Sequence, residues 1–504
     1  MRRYLKKQID NILHTMLEAN EIVLKTMMTN QFVKAKAVAM DLAASAQEIT
    51  ISVPDEGTET KKFQECLISY VEILEAMLKA KKNSEKMSLG AVSRKRIIQA
   101  QEILWKEIIS DKLRITFMPY KADMWTSMDT IWRAAKSDEE CEVHVVPMPY
   151  YDITNPNDVK FHYEVERFPE EVECIHYEQY SEWVEYPDII VIHNPYDDEN
   201  NVTRVPERFY STTLFKNTAK LVYAPYFTIS SYKEEKHSWM LTAPANINAD
   251  IVLAQSERVK KLYVDMGYLS EKILAFGSPK IDAVVRMEKN SREQIWNKVP
   301  EIWKSKLEGK KVFLLNTHMS YFPNCSKYKD KYGDYARKYH DEILKVLLNR
   351  DDCALIWRPH PLMKTMICGR FPEWIEYIKE IEQKINESSN GVIDNFGDYA
   401  YSFGLSDALI TTYSSLINEY MVLKKPIMLF QTRLSPAVVE NAPINVNVNY
   451  FRFGKEFCSF AQFRDNVVQG IDSRYDERIE EIKKAFPNLD GKAGERIYNY
   501  LKET

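Results

Sequence analysis

The chain has no CxxC pair. Its seven cysteines, Cys66, Cys141, Cys174, Cys325, Cys353, Cys368 and Cys458, are scattered, which argues against a disulfide framework or a zinc site and fits a reducing cytoplasm. It has no excess of positive charge: 68 Lys+Arg stand against 73 Asp+Glu, with a pI near 6.1, so nucleic acid is not an expected partner. No stretch approaches the ~20 apolar residues of a membrane-spanning helix, and Met1-Arg2-Arg3 is not followed by the apolar core of a signal peptide. The expectation is a cytoplasmic protein, soluble or peripheral on the inner face of the cell membrane. There is no internal repeat and no low-complexity tract. No Asp-x-Asp pair ends a strand, so no metal-held nucleotide is expected.

What is present is length and texture. The 504 residues give room for about three domains with respectable cores. Aromatics are plentiful, with 30 Tyr and 9 Trp, as in many sugar-handling proteins. Residues 1–111 read as helical. Leu5, Ile9, Ile12, Leu13, Met16, Leu17 and Leu24 keep one apolar face, and Phe63, Leu67, Val71, Leu74 and Leu78 keep another. Breaks fall at Val53 to Gly57 and at Gly90. Arg2, Arg3, Lys6 and Lys7 make the first helix basic at its start. That end suits either an anionic membrane surface or a solvated helix end in a bundle or homo-oligomer contact.

From residue 112 strands and helices alternate, as in a doubly wound α/β sheet. Expected strands are Arg114–Met118, Cys141–Val146, Ile189–Ile192, Leu221–Tyr223 and Ile251–Ala254, with a Pro/Tyr-rich insertion over 147–187. A helix-rich link over Asp282–Leu307 precedes a second such unit with strands at Lys311–Leu315, Ala354–Ile356, Val392–Ile393, Ala408–Ile410 and Ile427–Phe430. The resulting division is 1–111, 112–283, 284–471 and a helical tail over 472–504.

Two segments of the second unit invite chemistry. Thr411 to Ser415 is a hydroxyl-rich turn between a strand and a helix, where unpaired amides and the helix dipole can hold a phosphate. A serine capping an ordinary helix fits the same turn. Trp357-Arg358-Pro359-His360-Pro361 also follows an apolar strand, and in a parallel sheet such strand ends open onto one ligand-binding edge.

Arg358-Pro359-His360-Pro361, Ser406-Asp407, Tyr413-Ser414-Ser415 and Lys425-Pro426 together resemble the C-terminal half of the CDP-glycerol glycerophosphotransferases. Those are teichoic-acid polymerases and primases with two facing Rossmann-like domains, the GT-B fold. The similarity continues through Gln255-Ser256-Glu257 and Gly277 to Asp282, and covers roughly residues 112 to 470. The resemblance implies an α/β chain of two Rossmann-like domains: an acceptor domain over 112–283 and a nucleotide-donor domain over 284–471, behind an N-terminal helical region.

The resemblance also implies residue roles. His360 corresponds to a histidine important for activity, and Arg358 beside it suits a pyrophosphate. Ser414 and Ser415 correspond to a serine pair that holds the nucleotide pyrophosphate. Glu419, one turn on, is placed for ribose hydroxyls, and Asp394, in the turn after Ile393, for the base. His318 and His193 end strands on either side of the expected cleft and are the alternatives for a general base. Each also fits a hydrogen-bonded structural histidine. Two departures stand out. Thr412 replaces the aspartate of an Asp-Tyr-Ser-Ser motif, and Tyr223-Ala224-Pro225-Tyr226 stands where the family commonly has Trp-His-Gly. His14, His144, His162, His176, His237 and His340 have no comparable setting.

The implied activity moves glycerol phosphate from CDP-glycerol to a hydroxyl of a membrane-linked polymer or lipid acceptor, releasing CMP without a metal or cofactor. The alternatives are a GT-B transferase using CDP-ribitol or a nucleotide sugar, and a non-catalytic protein that binds nucleotide or polymer.

Overall fold

The computed structural model describes residues 1–54, 57–230, 238–289, 292–317, 333–360, 363, 374–396, 399–412, 414–430, 434–440, 442–453, 457–486 and 488–504. The chain divides into two compact units, Met1–Leu113 and Arg114–Thr504.

The first unit is a four-helix bundle of α1 (Arg3–Met28), α2 (Phe32–Ser52), α3 (Thr58–Lys79) and α4 (Asn83–Lys106), each packed on two neighbours. Ile9, Leu13, Met16, Val23 and Met27 recur at three- and four-residue spacing and are buried, as one apolar helix stripe requires. Gly90 is not a break. It lies inside α4, where an added Cβ would come within 3.0 Å of Leu24, so the missing side chain lets α4 approach α1. A small polar cluster sits in this core: Asn20 Oδ1 accepts from Ser93 Oγ at 3.0 Å and from Tyr70 OH at 3.4 Å. Of the four basic residues at the start of α1, Lys6 is buried and donates to the Ile108 carbonyl at 2.7 Å. Its charge therefore closes the far end of the bundle instead of facing outward. No helix among the described residues is long and apolar enough to cross a membrane.

The second unit holds two six-stranded sheets. The strands of its first lobe are β1 (Leu113–Met118), β2 (Cys141–Val145), β5 (Ile189–Ile192), β7 (Lys220–Tyr223), β8 (Ile251–Leu253) and β9 (Ile273–Leu274). They lie in the order β2-β1-β5-β7-β8-β9, and the β1–β5, β5–β7, β7–β8 and β8–β9 pairs are parallel. The Pro/Tyr-rich insertion supplies β3 (Tyr150–Asp152) and β4 (Lys160–His162), and β3 also pairs antiparallel with β6 (Thr203–Arg204) from beyond β5 to complete a small three-stranded sheet.

The second lobe contains β10 (Lys311–Thr317), β11 (Cys353–Pro359), β12 (Gly391–Ile393), β13 (Ala408–Thr411), β14 (Ile427–Leu429) and β15 (Tyr450–Phe451), in the order β12-β11-β10-β13-β14-β15 with parallel pairing throughout. Renumbered within the lobe this is 3-2-1-4-5-6, the order of a dinucleotide-binding sheet. Val312 and Leu314 enter one buried cluster while Phe313 and Leu315 enter another. That period of two, with both faces covered, explains why these strands read as unbroken apolar runs.

The tail returns to the first lobe. The last helix, Ala493–Glu503, packs on α5 (Asp129–Lys136). Tyr498 OH and Lys502 Nζ both reach Asp138, at 2.6 and 2.5 Å. Gly494 N donates to Asp282 at 2.8 Å, and a Cβ there would lie 2.2 Å from Thr130, so no larger residue fits.

Candidate active site between two sheet edges

Each sheet changes winding direction once, and side chains from the strand ends converge at that crevice. In the second lobe it lies between β10 and β13. The register sets Arg358, Asn316 and Thr411 in one row across three strands. Asn316 ties the row together, donating to the Arg358 carbonyl at 2.9 Å and accepting from Thr411 Oγ1 at 3.2 Å. His360 follows β11 directly, half-buried, with its backbone fixed by donation to the Thr317 carbonyl at 2.9 Å. The Ser414/Ser415 pair follows β13, two strands away at the same edge, or roughly 10 Å at the usual strand spacing. His360 and the serines thus share one side of their lobe. His318 and Tyr413 lie outside the described residues.

The polar groups after β13 are unusual. Thr412 Oγ1, Ser414 Oγ and Asn418 Oδ1 are buried without a hydrogen-bond partner among the described residues, while Glu419 Oε1, also buried, has the Lys280 ammonium as its counter-charge. Thr412, Asn418 and Glu419 are each at most 3% exposed. Ser415, at the start of the helix Leu416–Val422, makes no side-chain capping bond, so simple capping does not account for the pair. That helix has seven residues, which leaves the hydroxyls and amides to carry more of any anion binding than its dipole.

The first lobe reaches this cluster. Thr228 Oγ1 accepts from Asn418 Nδ2 at 2.9 Å and approaches the Ser415 carbonyl at 3.4 Å. Lys280, at the start of the helix Pro279–Lys289, faces Glu419 across the lobes at 3.2 Å, with both residues buried.

Two expected donor contacts are engaged elsewhere. Arg358 Nη1 donates to Asp394 Oδ2 at 2.9 Å and to the Phe396 carbonyl at 2.8 Å. Asp394 also accepts from Phe396 N at 2.9 Å and from Ser402 Oγ. The pair braces the turn after β12, and the Asp394 carboxylate has its oxygens occupied before any base arrives.

The first-lobe crevice, between β1 and β5, differs. His193 ends β5 as expected, but its ring is fully buried. Nε2 accepts from Tyr120 N at 2.7 Å, which leaves Nδ1 as the protonated nitrogen, 3.0 Å from Ser127 Oγ. Burial, with a smaller push from Lys280, brings its pKa down to about 3. A ring with its lone pair taken by a backbone amide cannot accept a substrate proton, which opposes the general-base expectation for His193. Ala224 and Pro225, at the Trp-His-Gly position, line a narrow crevice with Gln255, Gly277 and Ser278.

The residues that sequence reasoning left without a role are Asn418 and Lys280. Asn418 lies four residues after Ser414, hence on the same helical face, and that spacing was the available signal. Lys280 was visible only as part of a motif, because its partner is 139 positions away.

Two parallel-sheet lobes meeting edge to edge, with polar groups gathered between them, define a GT-B-type architecture. The family model of the CDP-glycerol:poly(glycerophosphate) glycerophosphotransferases matches residues 229–503, more than half of the chain, and the chain belongs to that family. A teichoic acid poly(ribitol-phosphate) polymerase of Bacillus spizizenii is 23% identical over 267 residues, which is 50% of this chain and 37% of that protein. The chain therefore aligns with well under half the length of that relative. Among solved structures, a variant of the wall teichoic acid polymerase TagF superposes with a TM-score of 0.51 at 14% identity, over 86% of this chain and 97% of the other. A UDP-GlcNAc 2-epimerase from Neisseria meningitidis bound to UDP-GlcNAc gives 0.51 at 12% identity, over 78% and 100%. At these identities the likeness is one of fold.

Proposed function

We propose that this chain transfers a polyol phosphate from a CDP-linked donor to a hydroxyl of a teichoic-acid-like acceptor at the membrane, releasing CMP. The carrying observation is the set of three buried polar atoms on Thr412, Ser414 and Asn418, unpartnered among the described residues, in a chain of this family. Buried polar groups are nearly always hydrogen-bonded, and a nucleotide diphosphate offers partners for all three. Its phosphate oxygens accept from the Thr412 and Ser414 hydroxyls, and its ribose hydroxyls donate to Asn418 Oδ1 beside the Lys280-paired carboxylate of Glu419.

In the reaction the acceptor oxygen attacks the phosphorus that bears the polyol. A new P–O bond forms, and the bridging P–O bond to CMP breaks with its electron pair leaving on CMP. The acceptor's proton passes to a base. His360 sits at the strand edge where charge would grow on the departing phosphate, so a ring N–H donated to that phosphate can stabilise the charge. The Arg358–Asp394 brace holds the strand end that carries it.

Glycerol is the polyol of the family description, whereas the Bacillus spizizenii relative favours ribitol as a second reading. A CMP-release assay with CDP-glycerol, CDP-ribitol and a nucleotide-sugar panel decides between them. Release with either CDP-polyol supports the transferase reading, and release with neither, with a lipid-linked acceptor present, removes it.

A further inference from the structure

Lys121 lies three residues beyond β1, just before the short helix Ala122–Ser127 and beside the first-lobe crevice, and its ammonium is unclaimed among the described residues. Nζ lies 4.6 Å from the centroid of Tyr150 and 5.3 Å from that of Tyr120. It has no ion pair and no hydrogen bond among the described residues. Three carboxylates are within electrostatic range, those of Glu164, Asp123 and Asp152, with Arg167 opposing them. Each carboxylate is committed elsewhere. Glu164 accepts from Tyr150 OH at 2.6 Å and Ala122 N at 3.0 Å, and pairs with Arg167 at 3.0 Å. Asp123 pairs with Arg167 at 2.6 Å. Asp152 accepts from Thr154 N and Oγ1 at 2.9 and 2.7 Å.

Burial holds the Lys121 pKa below that of an ordinary lysine, the cost of keeping three N–H donors away from acceptors. Asp123, two residues on, also feels the charge of Arg358. A polyol-phosphate chain is a polyanion, and this protein carries a net charge of −5. Such an acceptor needs a local cation next to the reacting hydroxyl.

We infer that Lys121, seated on the Tyr120 and Tyr150 rings, binds a phosphodiester of the acceptor chain on the first lobe. This rests on the transferase reading only in assigning the acceptor, rather than the donor, to that lobe. The test compares the wild type, Lys121→Met and Lys121→Arg for binding of a synthetic glycerol-phosphate trimer by calorimetry, with CDP-glycerol and CDP-ribitol thermal shifts alongside. The expected result is trimer binding weakened at least about tenfold by Lys121→Met, one lost charge-assisted contact. Lys121→Arg should largely restore it, with both donor shifts unchanged.

Equal trimer affinity in Lys121→Met and the wild type overturns the inference, as does a wild type that binds no trimer. An equal loss of donor and trimer binding assigns Lys121 to the donor or to packing and also overturns it. A wild type that binds the trimer through Lys121 yet responds to neither CDP-polyol defeats the transferase reading and leaves this site standing.

Discussion

The two sheet lobes solve the same geometric problem in opposite ways. Each has one crevice where the strand order reverses and where an α/β protein can take a ligand. In the first lobe the crevice is closed by His193, whose two nitrogens are spent on Tyr120 N and Ser127 Oγ. In the second lobe, Asn316 laces the strand ends together, and the segment beyond leaves three polar atoms without partners among the described residues. A buried group that is satisfied contributes order, while one that is not carries a desolvation cost of about 1–3 kcal/mol that a ligand can recover. The contrast separates a histidine whose ring is fully engaged by the protein from groups that the proposed function assigns to the donor.

The sharpest way to break this contrast is to exchange the two histidines' expected phenotypes. His360→Ala should lower CMP release by roughly 10²–10⁴-fold and leave the melting temperature nearly unchanged. A collapse in stability would make His360 the structural one. His193→Ala should do the reverse, costing about 1–3 kcal/mol of stability because Tyr120 N loses its acceptor. Donor KM should hardly move, as read by denaturant melts beside steady-state kinetics.

Acid titration gives a further separation. His193 is held near 3 and His340, buried against Thr317 Oγ1, near 4. The unfolded chain protonates both near 6.5. As pH falls below that value the unfolded state gains protons that the folded state refuses, so stability drops by about 1.4 kcal/mol per unit for each ring. Replacing His193 should make the slope of unfolding free energy against pH shallower by one such step. An unaltered slope would mean that His193 is reachable by solvent protons.

The smallest expected effects are at the second crevice. Thr412→Val and Ser414→Ala should each weaken CDP-polyol binding by about 1 kcal/mol, five- to tenfold, while stability is unchanged or slightly higher. Isothermal titration checks the affinity. Unchanged affinity in both would return those hydroxyls to the packing.

Much of this was legible in the chain, for reasons that differ by element. Ile189–Ile192 and residues 312–315 of β10 are continuous apolar runs because both faces of their sheets are covered, and such runs need no tertiary information to find. Ile273–Leu274 and Tyr450–Phe451 are two residues long, too short to show a period. Gly90 read as a break because glycine weakens helices, yet a close approach to Leu24 accounts for it. His193 was placed correctly at a strand end, but what fixes its chemistry is an amide 73 positions away, which no local pattern announces. Asp394 and Arg358 were both marked for a ligand, and their pairing with each other depends on the neighbouring register of β11 and β12.

The returning helix Ala493–Glu503 has a consequence for how the protein is made. Tyr498 meets Asp138 across 360 positions. At ribosomal speeds of about 5–20 residues per second, the surface of α5 waits roughly 20–70 s before its cover is synthesised. Completion of the first lobe is thereby tied to the arrival of residues encoded after the whole of the second.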